Sequence, residues 1–422
     1  MYQKIKFKNG LTLVATPLKE TKAVTVLILL PVGSRYEDKR INGVSHFIEH
    51  LMFKGTKKRP TSLDITKELD SVGAEFNAFT AKDHTGYYVK IAYENIGLAF
   101  DILSDIIFNS IFDENEIQKE RGVIIEEINM YEDNPIMFLP AMFEQTLFGN
   151  NSLGQLISGP KSVIKNIPRK EIIRYRDRYY KPRNIVLGVS GKFEINKVKN
   201  LCKKYFFQNA KKGKKTNFPK VKISQSKPRV NIKFKETEQV QLGIGFPAYP
   251  LNDPRLFALY LLVVILGGNM SSRLFSIVRE KNGLAYYIKA DLDVYNDISA
   301  FLIQSGLDKE KTKKAISLIL EELKKIKQYG VTESELQSAK QFIRGKLVLE
   351  LEDSGNMADW FAKQELLLKK IYTPEQRIKK IFDVKSDQIK KVAEEIFVEK
   401  KLNLAMIGPF KNKDEFTKLL KF

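Results

Sequence analysis

The sequence predicts an α+β fold in which one architecture is written twice. Three observations carry this expectation. Strand-like and helix-like stretches follow one order in both halves of the 422 residues. Paired landmarks keep a nearly constant offset: Gly73 and Gly283 are 210 residues apart, and Asp113 and Thr332 are 219 apart. Between the halves lies 209–229, rich in Lys, Ser and Pro with little apolar pattern, which reads as a linker. The expected domains are therefore 1–208 and 230–422, joined by 209–229.

The elements follow in chain order. Apolar stretches at 5–7 and 11–14 flank Asn9-Gly10, a strong two-residue hairpin signal. The run 24–31 is apolar apart from Thr25, as suits a buried strand. A helix is expected over 43–53. The next begins at Thr61, where Asp64 three residues on completes a capping box, and it stops at Gly73. Strands at 74–80 and 85–92 precede a helix at 95–109. A further helix starts at Asp113 and runs to about 131, closed by Asn134-Pro135. Tyr179-Tyr180-Lys181-Pro182 leads into a strand at 185–189. The second half repeats the order: strand 240–246, helix 254–266, a shorter helix 272–280 ending near Gly283, strands 285–294 and 300–305, helix 309–328, and a helix from Thr332 with Glu335 three residues on.

Composition narrows the function. With 43% hydrophobic residues the chain can build real cores, so fibrous and disordered classes do not fit. The net charge of +21 raises nucleic acid as a partner. Apart from Lys211–Lys215, however, basic residues are dispersed among glutamates, and no nucleic-acid-binding signature accompanies them. A lysine-rich solvated surface, with no nucleic-acid partner, is the expectation. The single cysteine, Cys202, excludes an internal disulfide and a cysteine metal site. The first residues lack an apolar segment of signal-peptide length, and the longest apolar runs are too short for a bilayer. A cytoplasmic protein with no membrane partner is expected.

Two of only three histidines stand in His46-Phe47-Ile48-Glu49-His50. On a helix, positions i and i+4 share a face, so both imidazoles can meet one ion, and Glu49 sits close enough to reach a water on it. This is the zinc-peptidase pair in inverted order. The bland alternative is two core or surface histidines that happen to be four apart, and the pair alone leaves it open.

His46 to His50, followed by an acidic helix, resembles the insulinase/mitochondrial-processing-peptidase family of inverted zinc peptidases. That family carries a third ligand, a glutamate, about 76 residues after the second histidine; here 76 residues separate His50 from Glu127. The run Glu120-Arg-Gly-Val-Ile-Ile-Glu-Glu-Ile-Asn-Met matches the pattern around that ligand. The resemblance implies Zn2+, one per chain, held by His46, His50 and Glu127. Manganese or cobalt suits the same ligand types. A second family glutamate seven residues earlier corresponds to Glu120, two helical turns away on the same face, as an acceptor for a ligand histidine N–H. Glu126 is about 100° out of phase and is expected to be a solvated or structural carboxylate.

Phe76-Asn77-Ala78-Phe79-Thr80 resembles the family's substrate-binding edge strand, where a peptide adds by main-chain hydrogen bonds. Asn77, Ala78 and Phe79 are the residues to watch, against core packing for the phenylalanines. Arg279-Glu-Lys-Asn-Gly-Leu-Ala-Tyr286 resembles the family's Arg and Tyr motif. Without the family, an ion pair and a packed ring would be the default reading. His84, between two strands, is not expected to be a ligand, and helix 254–266 has no metal motif.

The resemblance covers nearly the whole chain. It implies two homologous domains, each a mostly antiparallel sheet packed against helices, and a zinc-dependent endopeptidase acting on unfolded or presequence-like peptides in a closed dimer chamber. Glu49 would be the general base, Tyr286 a donor to the oxyanion and Arg279 a clamp on the substrate. A homodimer is expected, with a paralogous heterodimer as the other arrangement. Two rival readings are a non-catalytic helper subunit of a processing-peptidase-like complex and a basic nucleic-acid-binding protein.

Overall fold

A computed structural model describes residues 2–207 and 218–421. The basic run Lys211–Lys215 and most of the first part of the expected linker lie outside the described residues. In chain order the first half comprises β1 (Gln3–Lys6), β2 (Thr12–Pro17), β3 (Ala23–Leu30), α1 (Val44–Met52), α2 (Ser62–Asp70), β4 (Glu75–Thr80), β5 (Thr85–Ala92), α3 (Ile96–Asn109), α4 (Glu114–Asp133), α5 (Pro135–Phe148), α6 (Lys161–Ile164), α7 (Arg169–Tyr179), β6 (Val186–Gly191) and α8 (Ile195–Phe206). The second half comprises β7 (Arg229–Phe234), β8 (Gln239–Ala248), α9 (Leu256–Gly267), a π-helical turn (Phe275–Lys281), β9 (Ala285–Val294), β10 (Ser299–Asp308), α10 (Thr312–Tyr329), α11 (Glu333–Glu350), α12 (Ser354–Leu368), α13 (Pro374–Phe382), α14 (Ser386–Ile396), β11 (Asn403–Gly408) and α15 (Asp414–Thr417).

The α+β class is observed. The first sheet runs β1-β2-β6-β3-β5-β4, the second β7-β11-β8-β10-β9. Pairing is antiparallel except between β2 and β6 and between β7 and β11. The opening hairpin forms where Asn9-Gly10 predicts it: Gly10 takes φ +91°, and the Asn9 side chain accepts from the Leu11 N–H. Thr61 and Asp64 cap α2 reciprocally. Gly73 and Gly283 both adopt positive φ, +64° and +58°, after α2 and the π-helical turn.

The chain forms two compact units: Met1–Ile128, Gln155–Pro219 and Val348–Thr373; and Asn129–Gly154, Lys220–Leu347 and Pro374–Phe422. The sequence boundaries 1–208, 209–229 and 230–422 are thus replaced by an interleaved partition. The reason is apolar. In the second unit, Leu139, Met142, Phe143 and Leu147 of α5 bury against Ala300, Leu302, Ala405 and Ile407 of the sheet. In the first unit, Ala358, Phe361, Ala362 and Leu366 of α12 bury against Val14, Leu27, Leu29 and Val186. Each sheet also carries a larger core on its other side. That is why β3, with sequence AVTVLILL, is buried along nearly its whole length and reads as a nearly continuous apolar run rather than an alternating one.

Pro135 does more than close α4. It opens α5 as its first residue, where the missing N–H costs nothing, and Asn134 caps the helix by accepting from the Ile136 and Met137 N–H groups. No helix among the described residues is long and apolar enough to cross a membrane.

Candidate metal centre

The centre is built on α1 and α4. In α1, Val44, Phe47, Ile48, Leu51 and Met52 face the first core. Helical periodicity then brings His46, Glu49 and His50 to the remaining face. The helix packs on β4 and α7. In α4, Ile117, Ile124 and Ile128 form a buried stripe, and Glu120 lies within it at 3% exposure. Glu127 follows two turns later. Glu126, out of phase, is exposed.

The side chains of His46, His50 and Glu127 converge: one ligand atom of each lies within 4.8 Å of the others. Glu127 Oε2 is 3.5 Å from His46 Nε2 and 3.4 Å from His50 Nε2. Tetrahedral zinc with bonds of about 2.0–2.1 Å places its donor atoms roughly 3.3–3.4 Å apart, so these spacings fit such an ion. Glu120 Oε2 lies 3.1 Å from His50 Nδ1, which leaves Nε2 as the atom directed at the cluster. The other Glu120 oxygen pairs with Lys54 Nζ at 2.6 Å.

Electrostatics favour a cation here. Burial lowers the His46 pKa to about 4, with neighbouring His50 adding to the effect. At His50 burial also pulls downward, but hydrogen bonds to Glu120 and Glu127 outweigh it and lift the pKa to about 9. Glu127 is held below the usual range by its hydrogen bond with His50. Burial opposes ionisation of Glu120, yet His50 and Lys54 together keep its pKa depressed. Carboxylates thus surround an imidazole pair in which His50 holds a proton readily while His46 stays neutral. Glu49 is half-buried and its pKa is raised by desolvation. Its Oε2 accepts a hydrogen bond from the Thr80 hydroxyl at 2.5 Å.

The remaining sequence-predicted residues lie as follows. β4 is the terminal strand of its sheet, paired only with β5, so one of its edges is open within that sheet. Asn77 is exposed and its side chain accepts from the Ala78 N–H. The Phe79 ring packs directly over Gly86, where a Cβ would stand 2.3 Å from it. Phe76 stacks near Phe53, with ring centroids 6.0 Å apart. His84 is buried edge-on to Phe79, and burial pushes its pKa down to about 3. In the second unit, Arg279 lies on the π-helical turn over the Phe275 ring, 4.0 Å from Glu280. Tyr286 is 69% exposed, so it is not a packed ring. Sequence reasoning passed over Thr80 and Lys54. The available signals were Thr80's place at the end of the β4 motif and Lys54's position one turn beyond His50.

The chain is similar to known proteins in both sequence and fold. Residues 13–161 match the family model described as insulinase, peptidase family M16. Residues 166–343 match the peptidase M16 inactive domain. An uncharacterized zinc protease of Bacillus subtilis is 34% identical over 98% of this chain and 99% of its own length. One from Streptomyces coelicolor is 32% identical over 96% of this chain and 89% of its own. Among solved structures, a protease from Helicobacter pylori superposes with a TM-score of 0.89 at 26% identity, covering 97% of this chain and 99% of that one.

Proposed function

The chain belongs to the insulinase family of peptidases, M16, and from that premise we propose that it is a zinc-dependent endopeptidase with one metal ion per chain. The observation that carries the proposal is the convergence of His46, His50 and Glu127, with the Glu49 carboxylate close enough to interact electrostatically with His50 and Glu127. Bound zinc would supply a Lewis acid that lowers the pKa of a water toward about 7 and polarises a carbonyl. The chain's own residues do the rest. His46 and His50 offer imidazole nitrogens and Glu127 a carboxylate. Glu120 accepts from His50 Nδ1–H and so fixes the ring's tautomer and orientation. Glu49 takes a proton from the attacking water at its carboxylate and returns it to the leaving amine. Desolvation raises its pKa, which makes the carboxylate a stronger base.

The open edge of β4 offers main-chain groups at Asn77, Ala78 and Phe79 to an extended peptide. Unfolded peptides or presequence-like segments are the proposed substrates, since only an extended chain can add as a strand. Arg279 would hold a substrate carbonyl or carboxylate, and Tyr286 would donate to the developing oxyanion. A homodimer enclosing the substrate completes the proposal.

Digestion of a mixed library of unstructured peptides, with and without a chelator, tests this reading by mass spectrometry. Cleavage that the chelator abolishes and zinc restores is expected. Stoichiometric zinc without any cleavage would favour a helper subunit instead. A sedimentation mass equal to one active chain would remove the dimer.

A further inference from the structure

α1 is nine residues long, and helices of that length are marginal in water without outside support. Yet it must hold three polar side chains in fixed register. Its start has no ordinary cap. The capping position is Gly43, at φ +98° and without a side chain. A Cβ there would stand 2.5 Å from the Ser158 carbonyl oxygen and 2.6 Å from Ile164 Cδ1. The Ser, Thr, Asp or Asn usual at this position has no room.

The cap comes from Glu37, six residues earlier in the chain and only 5% exposed. Its Oε2 accepts from the Gly43 N–H at 2.6 Å and from Asn42 Nδ2 at 2.8 Å. Its Oε1 accepts from the Ser45 N–H at 2.7 Å. Ser45 immediately precedes His46, and its hydroxyl is 3.0 Å from that of Tyr175 on α7. The carboxylate therefore lies at the positive end of the helix dipole. Burial pushes its pKa up to about 7, against hydrogen bonds from Asn42, Gly43 and Ser45 that pull it down. Every partner is a donor, so only an acceptor on both oxygens satisfies the arrangement.

We infer that Glu37 is a positioning residue for the metal centre: its buried carboxylate caps α1 from outside the helix and sets the rotation and tilt at which His46 and His50 meet Glu127. The inference rests on the zinc reading above. Glu37→Gln preserves shape but turns an amide N–H against at least one donor, whichever way the side chain lies.

The test uses the full chain. Zinc affinity is measured by chelator competition, site geometry by the visible spectrum of the cobalt(II) form, and fold by the melting temperature of the metal-free protein. Glu37→Gln should melt near the wild type yet bind zinc about 10-fold or more weakly, with a weakened, displaced cobalt spectrum. Affinity within about twofold of wild type and an unchanged spectrum would overturn the inference. Should that variant fail to fold, Asn42→Ala decides, since it keeps the charge and removes one donor. Weakened zinc binding with an intact melt supports the role, and unchanged binding overturns it. Wild-type protein that binds no zinc, or His50→Ala that binds it normally, would defeat the zinc reading rather than the role of Glu37.

Discussion

In the first half, β2 to β6 take the spatial order β2-β6-β3-β5-β4; in the second, β7 to β11 take β7-β11-β8-β10-β9. Strand for strand these are the same topology, down to the one parallel pair in each. The halves differ at the helix after the second of these strands. α1 carries His46, Glu49 and His50, whereas α9 reads LFALYLLVVILG and offers no metal-binding side chain. The backbone plan survives because it depends on apolar patterning, which both helices satisfy. The proposed chemistry would depend on three polar residues at i, i+3 and i+4, and of these two helices only α1 carries them.

The comparison can be broken most severely at Glu49. Glu49→Gln should cut peptide turnover by about 10²- to 10⁴-fold while zinc content by elemental analysis stays stoichiometric. Tyr260→Phe on α9 should leave turnover unchanged. Equal losses in the two variants would erase the distinction between the helices. Next come the exchanged helices. Phe143→Ala in α5 and Phe361→Ala in α12 each remove a buried ring from the face that covers a sheet, and each should cost about 3–5 kcal/mol in urea unfolding. A cost near zero for one of them would show that its sheet face does not need that cover. Tyr286→Phe should lower kcat/KM by about 10- to 100-fold without changing zinc content, the loss of one hydrogen bond to developing charge. An unaltered rate would leave the second half with no chemical part.

The smallest effect concerns the long helices. The N-terminus of α11 has a capping box between Thr332 and Glu335, and Arg273 forks onto Glu335 at 2.6 and 2.8 Å. α4 begins with Asp113 accepting from the Asn115 and Glu116 N–H groups. The Arg273 guanidinium holds the Glu335 carboxyl down to about 2. A depressed carboxyl stabilises the fold above its unfolded value and loses that contribution as pH falls from about 4.5 toward 2. Glu335→Gln should therefore flatten the acid limb of the stability curve by about 1–2 kcal/mol. An unchanged limb would place the acid sensitivity elsewhere.

Much of this was legible in the chain. The convergence of His46, His50 and Glu127 could be anticipated because the two histidines are local in sequence and the family spacing pointed to Glu127. The hairpin at Asn9-Gly10 and the boxes at Thr61 and Thr332 are local rules obeyed locally. The exchange of α5 and α12 was not legible. An apolar helix face announces that it will be buried but carries no record of which sheet buries it. Thr80, Lys54 and Glu37 escaped for a related reason. Each acts through a contact that exists only once strands, turns and helices have been brought together. Gly43 was the one visible trace of Glu37, a helix start with no capping side chain.

The helix exchange also bears on how such a chain can be cut or inherited. A fragment ending near residue 208 would keep the strands bearing Val14, Leu27, Leu29 and Val186 but lose Phe361 and its neighbours. It would present a bare hydrophobic face while carrying, in α5, an apolar segment with nothing to cover. The smallest self-sufficient piece is therefore the complete tandem, and a lone copy could be satisfied only by trading that segment with a second molecule.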